Sequence, residues 1–144
     1  MDILGSRLVR EKGEPPALLY LGEERFWLIP VAPSPLRLHT SGTYETKLEE
    51  MDYRMLAAGD LNGDGSEELV VLDNRESRIL QVMARSKTGW TEALHFRVFE
   101  SYSHDGNEDS GPEPRELLVT DLTGDSRDDI ILLVHDRVLL YPGG

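Results

Sequence analysis

Asp60-Leu-Asn62-Gly-Asp64-Gly-Ser-Glu-Glu68-Leu-Val-Val-Leu72 and Asp121-Leu-Thr123-Gly-Asp125-Ser-Arg-Asp-Asp129-Ile-Ile-Leu-Leu133 are one pattern written twice. Each places an oxygen-bearing side chain at loop positions one, three, five and nine. Each then passes directly into an apolar run of the β type. Before the first loop stands Arg54-Met-Leu-Ala-Ala-Gly59, and before the second Arg115-Glu-Leu-Leu-Val-Thr120. After each apolar run comes a polar break and a second run opening with arginine: Arg78-Ile-Leu-Gln-Val-Met83 in one copy, Arg137-Val-Leu-Leu-Tyr141 in the other.

Working outward, a fainter copy lies upstream in Ala17-Leu-Leu-Tyr-Leu21 and Arg25-Phe-Trp-Leu-Ile29, split by Gly22-Glu-Glu24. Short runs of Val, Ile, Leu and aromatic residues parted by a few turn residues read as β-hairpins. Leu36–Thr40 and Ala93–Phe99 can supply a fourth strand to their units. The repeating unit is therefore strand, loop, strand, turn, strand, longer link, strand. Four short strands recurring at about 50–60 residues predict propeller blades. The expected fold is all-β: a partial β-propeller of four-stranded antiparallel blades, about two and a half in number. Residues 1–53 form a degenerate blade without a metal loop, 54–114 a complete one, and 115–144 a truncated one. A competing helix at Lys47–Ala58 rests on good formers such as Glu49, Glu50, Met51, Met55 and Leu56; alignment with Glu116–Thr120 restricts it to the first half.

The loops suit a hard cation. Calcium takes six to eight oxygens at about 2.3–2.6 Å in forgiving geometry. Asp60, Asn62 and Asp64 lie two residues apart, a backbone carbonyl near Ser66 can add a donor, and Glu68 closes the shell from the next strand. Unscreened, these carboxylates repel one another, so metal binding and loop ordering become one event. Turns gather Asp, Asn and Gly for backbone reasons alone, but two loops in register, each closing with an acid at position nine, favour calcium. Magnesium, which demands strict octahedral geometry, suits them less. An EF-hand opens the same way yet needs a glutamate at position twelve and flanking helices. Position twelve is Val71 in one loop and Leu132 in the other, between strands. In the second loop Thr123 stands for Asn62 and Ser126 for Gly65, so the Asp60 loop is expected to bind more tightly.

These residues resemble FG-GAP/VCBS repeats, the calcium-binding blades of integrin-α-like β-propellers, strongly over about residues 54–84 and 115–142. The resemblance implies side-chain ligands at Asp60, Asn62, Asp64 and Glu68 with the Ser66 carbonyl. In the last copy it implies Asp121, Thr123, Asp125 and Asp129 with the Arg127 carbonyl. It departs at Arg10-Glu-Lys-Gly-Glu-Pro-Pro16, where no metal is expected, and the tripeptides that name the family are absent. Met1-Asp2-Ile3-Leu4 also matches the tail of another acidic loop, Glu67-Glu68-Leu-Val. The family's setting implies a non-catalytic module of a secreted, periplasmic or surface protein. It would bind protein or carbohydrate, with further blades or oligomerisation closing the ring.

The rest of the composition narrows the field. With 15 basic and 27 acidic residues among 144, the net charge is −12, the wrong sign for a nucleic-acid surface. Bound divalent ions would offset part of it. There is no cysteine, so thiolate sites and disulfides are excluded. No apolar run reaches the ~18 residues of a membrane span, and Met-Asp-Ile-Leu-Gly-Ser-Arg has no signal-peptide pattern. His39, His95, His104 and His135 show no metal-ligand spacing, and no nucleophile elbow or phosphate loop is present. The alternatives are a scaffold within a larger extracellular enzyme and a calcium sensor. His104-Asp-Gly-Asn-Glu-Asp109 is read as a solvated loop rather than a third site. Trp27 is read as core. Trp90, with Tyr44 and Tyr102, is a candidate for stacking on a sugar.

Overall fold

A computed structural model describes residues 4–31, 42–48, 51–73, 78–87, 89–98, 114–134 and 137–144. Every regular element among them is a strand. The first sheet holds β1 (Gly5–Val9), β2 (Ala17–Leu21), β3 (Arg25–Pro30) and β4 (Gly42–Glu45). The second holds β5 (Tyr53–Gly59), β6 (Glu68–Asp73), β7 (Ile79–Ser86) and β8 (Gly89–Arg97). The third holds β9 (Glu116–Thr120), β10 (Asp129–Val134) and β11 (Arg137–Tyr141). Within each sheet neighbours in sequence are neighbours in space, all antiparallel.

The sheets have equivalent registers. Val9 pairs with Ala17, Gly59 with Glu68, and Thr120 with Asp129, so the same loop joins the first two strands each time. That places β1 as a first strand, and the register in which Met1–Leu4 ends an acidic loop does not apply to Leu4; residues 1–3 lie outside the described residues. The helix expected near Lys47 is also absent from what is described: Lys47, Leu48, Met51 and Asp52 are irregular and Tyr53 onward is strand. Pairing with β6 buries Ala57 and Ala58, which outweighs the helical preference of Met55 and Leu56. Arg54 is the extra residue of a bulge in β5, and Ala93 of one in β8. The fourth strand of the first sheet is Gly42–Glu45; the expected Leu36–Thr40 falls outside the described residues.

Alternation along the strands builds two cores, one on each side of the second sheet. Leu19, Leu21, Phe26 and Leu28 meet Tyr53, Leu69, Val71 and Met83 on one side. Val70, Leu72, Leu80 and Val82 meet Leu117, Ile130, Leu132 and Val134 on the other. The sheets thus stack face against face, with β5 beside both β1 and β9 and β4 beside β8. β6 is buried along its whole length because both its faces are covered. Its continuous apolar reading in the sequence has this cause. A polar chain crosses the first core: the Tyr53 hydroxyl donates to Gln81 Oε1 at 2.8 Å, the Gln81 amide reaches Glu92, and Glu92 Oε1 lies 2.6 Å from His95 Nδ1. Among the described residues no helix is long and apolar enough to cross a membrane.

Candidate metal loops

The β5–β6 loop is organised around the Asp60 carboxylate. Its Oδ1 accepts the N–H groups of Gly63 (2.7 Å) and Asp64 (3.0 Å), and its Oδ2 that of Gly65 (2.8 Å). Asn62 Oδ1 accepts from Asp64 N–H and Asp64 Oδ1 from Ser66 N–H, each at 2.8 Å. Glu68 closes the loop by accepting Leu61 N–H and the Asn62 side-chain amide, each at 2.9 Å. The β9–β10 loop repeats the plan. Asp121 accepts from Gly124 (2.6 Å) and Ser126 (3.0 Å), Asp125 from Arg127 (3.0 Å), and Asp129 from Leu122 (2.8 Å) and Thr123 (2.9 Å). Backbone angles agree as well: φ is 77° at Gly63 and 79° at Gly124, 91° at Gly65 and 71° at Ser126. Ser126 therefore holds the left-handed conformation that glycine holds in the other copy, at a cost of about 1–2 kcal/mol.

The donor set is all oxygen, which suits a hard cation. Asp60 Oδ2 and the two Glu68 oxygens each accept one hydrogen bond and retain a lone pair for a metal, whereas Asp60 Oδ1 and Asp129 Oδ2 each accept two N–H groups. The carboxylates nonetheless face the N–H groups of their own loops. Among the described residues no three His, Cys, Asp or Glu side chains are grouped to hold a metal ion.

The two position-nine acids differ electrostatically. Burial raises the Glu68 pKa above its ordinary value, and the Asp64 and Asp60 charges add to the rise against the Leu61 and Asn62 hydrogen bonds. Asp129 is shifted down, chiefly by Gly143 N–H with those of Thr123 and Leu122, against the opposing effect of burial. Gly143 donates to Asp129 Oδ1 at 3.0 Å from a seat where a Cβ would lie 2.4 Å from the Asp128 carbonyl. Nothing in the motif announces that partner, which only the fold brings to the loop.

Position eight is the residue that the pattern of alternating ligands passes over. Glu67 Oε2 accepts Arg10 N–H at 2.6 Å, while Glu67 N–H donates to the Arg10 carbonyl at 2.9 Å. Asp128 Oδ2 accepts Asp60 N–H at 2.8 Å, while Asp128 N–H donates to the Asp60 carbonyl at 2.9 Å. Arg10 and Asp60 each open their loop, so the same two-bond clasp joins successive sheets twice. Gly59 is glycine for this contact: a Cβ there would lie 2.3 Å from Val119 Cγ1 and 2.6 Å from Asp128 Oδ2. The recurrence of an acid at position eight in both copies was the available signal.

The expected non-metal loop Arg10–Pro16 borders a cavity of about 270 Å³ that also takes in Ser66, Glu67, Arg85 and Trp90. Trp90 lies in β8, half-buried, edge-on to Phe26 with ring centres 5.7 Å apart and the Arg85 guanidinium 5.3 Å from its centre. Trp27 is half-buried, its ring closing on Gly22, rather than fully in the core. Tyr102, His39, His104, His135 and the tract 104–109 lie outside the described residues. No family model, curated protein or solved structure matches this chain.

Proposed function

We propose that the chain is a non-catalytic calcium-binding module of the FG-GAP/VCBS kind, a portion of a β-propeller in which the ion is structural. The observation that supports this best is that two loops of different sequence share one conformation, down to a left-handed serine in place of glycine. Strain retained at an equivalent position marks a backbone held for a purpose. Asp60, Asn62, Asp64, the Ser66 carbonyl and Glu68 would hold one ion. Asp121, Thr123, Asp125, the Arg127 carbonyl and Asp129 would hold the other, more weakly. Calcium supplies the positive charge that the clustered carboxylates lack, and so fixes each loop against its sheet.

The stiffened sheets would then present their loops to a protein or carbohydrate partner outside the cell, in the periplasm or on a cell surface. Thermal unfolding tests the reading. Millimolar calcium should raise the midpoint and a chelator should reverse it, because a ligand bound only by the folded state stabilises that state. A midpoint that ignores calcium would sink the proposal, and Asp60→Ala should remove more of the shift than Asp121→Ala.

A further inference from the structure

Among the described residues, two side-chain nitrogens are shut off from water without any hydrogen-bond partner: Arg85 Nη1 and Trp90 Nε1. Both are donors only, and a buried donor costs stability until an acceptor reaches it. Both belong to side chains that line one cavity, the space of about 270 Å³ between the first two sheets at the Arg10–Pro16 loop. Part of its wall is apolar, from Val9, Ala17 and Leu28. Its charged groups are mostly paired: Glu67 is engaged with Arg10, and Glu11 Oε2 lies 3.3 Å from Arg85 Nε. The exposed Glu14 carboxylate has no ion pair among the described residues. Two donors in need of an acceptor and one carboxylate able to receive a donor therefore share a partly apolar cavity.

We propose that this cavity binds a small carboxylic acid, its carboxylate lodged against Arg85 Nη1 and Trp90 Nε1 and its own hydrogen-bond donors turned to Glu14. An amino acid and a sugar acid both have this chemistry. The volume lies just under the ~300–1,000 Å³ of drug-sized sites, which restricts the ligand to about one residue or one ring. A phosphate's second charge would meet three glutamates against two arginines, so a monoanion is preferred. Entry needs one movement. The Arg85 guanidinium rests over the Trp90 ring, 5.3 Å from its centre, and its side chain is 29% exposed. Swinging it toward the carboxylate frees Nη1 and uncovers the indole N–H together. Glu11 occupies only the Nε side, and the planar fork keeps its outer nitrogens for a charge-assisted pair. Ser66 and Glu67 of the Asp60 loop line the same cavity, yet no ion in that loop enters the argument.

Trp90 reports on its own site, because the chain has only two tryptophans. In proton–nitrogen correlation spectra of the full chain, with calcium held constant, Trp90→Phe assigns the Trp90 indole signal by removing it. That signal should move on titration with leucine or glucuronate while the Trp27 signal stays, and the acid that acts at lower concentration identifies the source. Leucinamide and glucose, which lack the carboxylate, should bind at least about tenfold more weakly. Arg85→Met should weaken acid binding by a similar factor and leave thermal unfolding close to wild type, since the donor it removes has no partner. An indole signal indifferent to both acids overturns the proposal. So does an equal response to leucinamide or glucose, or undiminished binding by Arg85→Met. Because the readout is the indole and not a calcium shift, each failure leaves the metal reading of the loops standing.

Discussion

The second and third units are built from one pattern, yet the second is covered on two faces and the third on one. Their difference shows what the repeat does for itself and what it leaves to neighbours. Leu80 and Val138 occupy the same register position, one sealed and one bare. Hydrophobic stabilisation depends on area removed from water, so equal chemistry yields unequal energies. The loops show the same inequality at finer scale. Glu68 is burdened by its burial and, after that, by its neighbours' charges, while Asp129 is relieved by the Gly143 N–H.

The largest expected separation comes from truncating that matched pair. Leu80→Ala should cost about 2–4 kcal/mol of unfolding free energy in a denaturant titration, whereas Val138→Ala should cost under about 0.5 kcal/mol. Comparable losses would mean that Val138 is covered in solution. Next are the clasps. Asp128→Ala leaves Asp60 N–H without its acceptor and should cost about 1–3 kcal/mol. Glu67→Ala, whose partner Arg10 is exposed, should cost less; the reverse order would break the idea that the two junctions differ in burial.

Backbone strain offers a smaller effect. Ser126→Gly should stabilise the chain by about 1 kcal/mol and tighten calcium binding to the Asp121 loop. Gly65→Ser should weaken the Asp60 loop by a similar amount. An unchanged affinity in both exchanges would show that position six has no part in ranking the sites.

The smallest effect is on acid stability, measured in chelator. Glu68 has a raised pKa in the fold, so its charge costs stability at neutral pH and that cost is relieved as pH falls toward 4.5. Asp129 has a lowered pKa, so its contribution is present above 3.8 and is lost as pH falls below it. Glu68→Gln should therefore lose stability more steeply than wild type on acidification, and Asp129→Asn less steeply. Parallel slopes for both would contradict the electrostatic contrast.

Much of this was legible in the residues. The β-runs at Ala17–Leu21, Arg25–Ile29, Leu69–Leu72 and Ile130–Val134 all became strands: short apolar runs bounded by turn residues suffice, whether one face is buried or, as in β6, both. Ser126 was legible as the stand-in for Gly65, and the structure adds that both hold a left-handed backbone. The half-helix expected in the first part of Lys47–Ala58 is not seen among the described residues, where Lys47, Leu48, Met51 and Asp52 are irregular, while the strand expected from Arg54 onward formed beside β6. The clasps and the Gly143 contact were hidden for a different reason. They join residues about 60 apart or bring in the far end of β11, and no local spacing encodes which backbone N–H a carboxylate will meet.

Calorimetric titration of calcium into the metal-free chain tests the central claim most directly. The account predicts two sites of unequal affinity, the tighter removed by Asp60→Ala and the weaker by Asp121→Ala. No binding heat at millimolar calcium, or binding that survives both substitutions together, would contradict it.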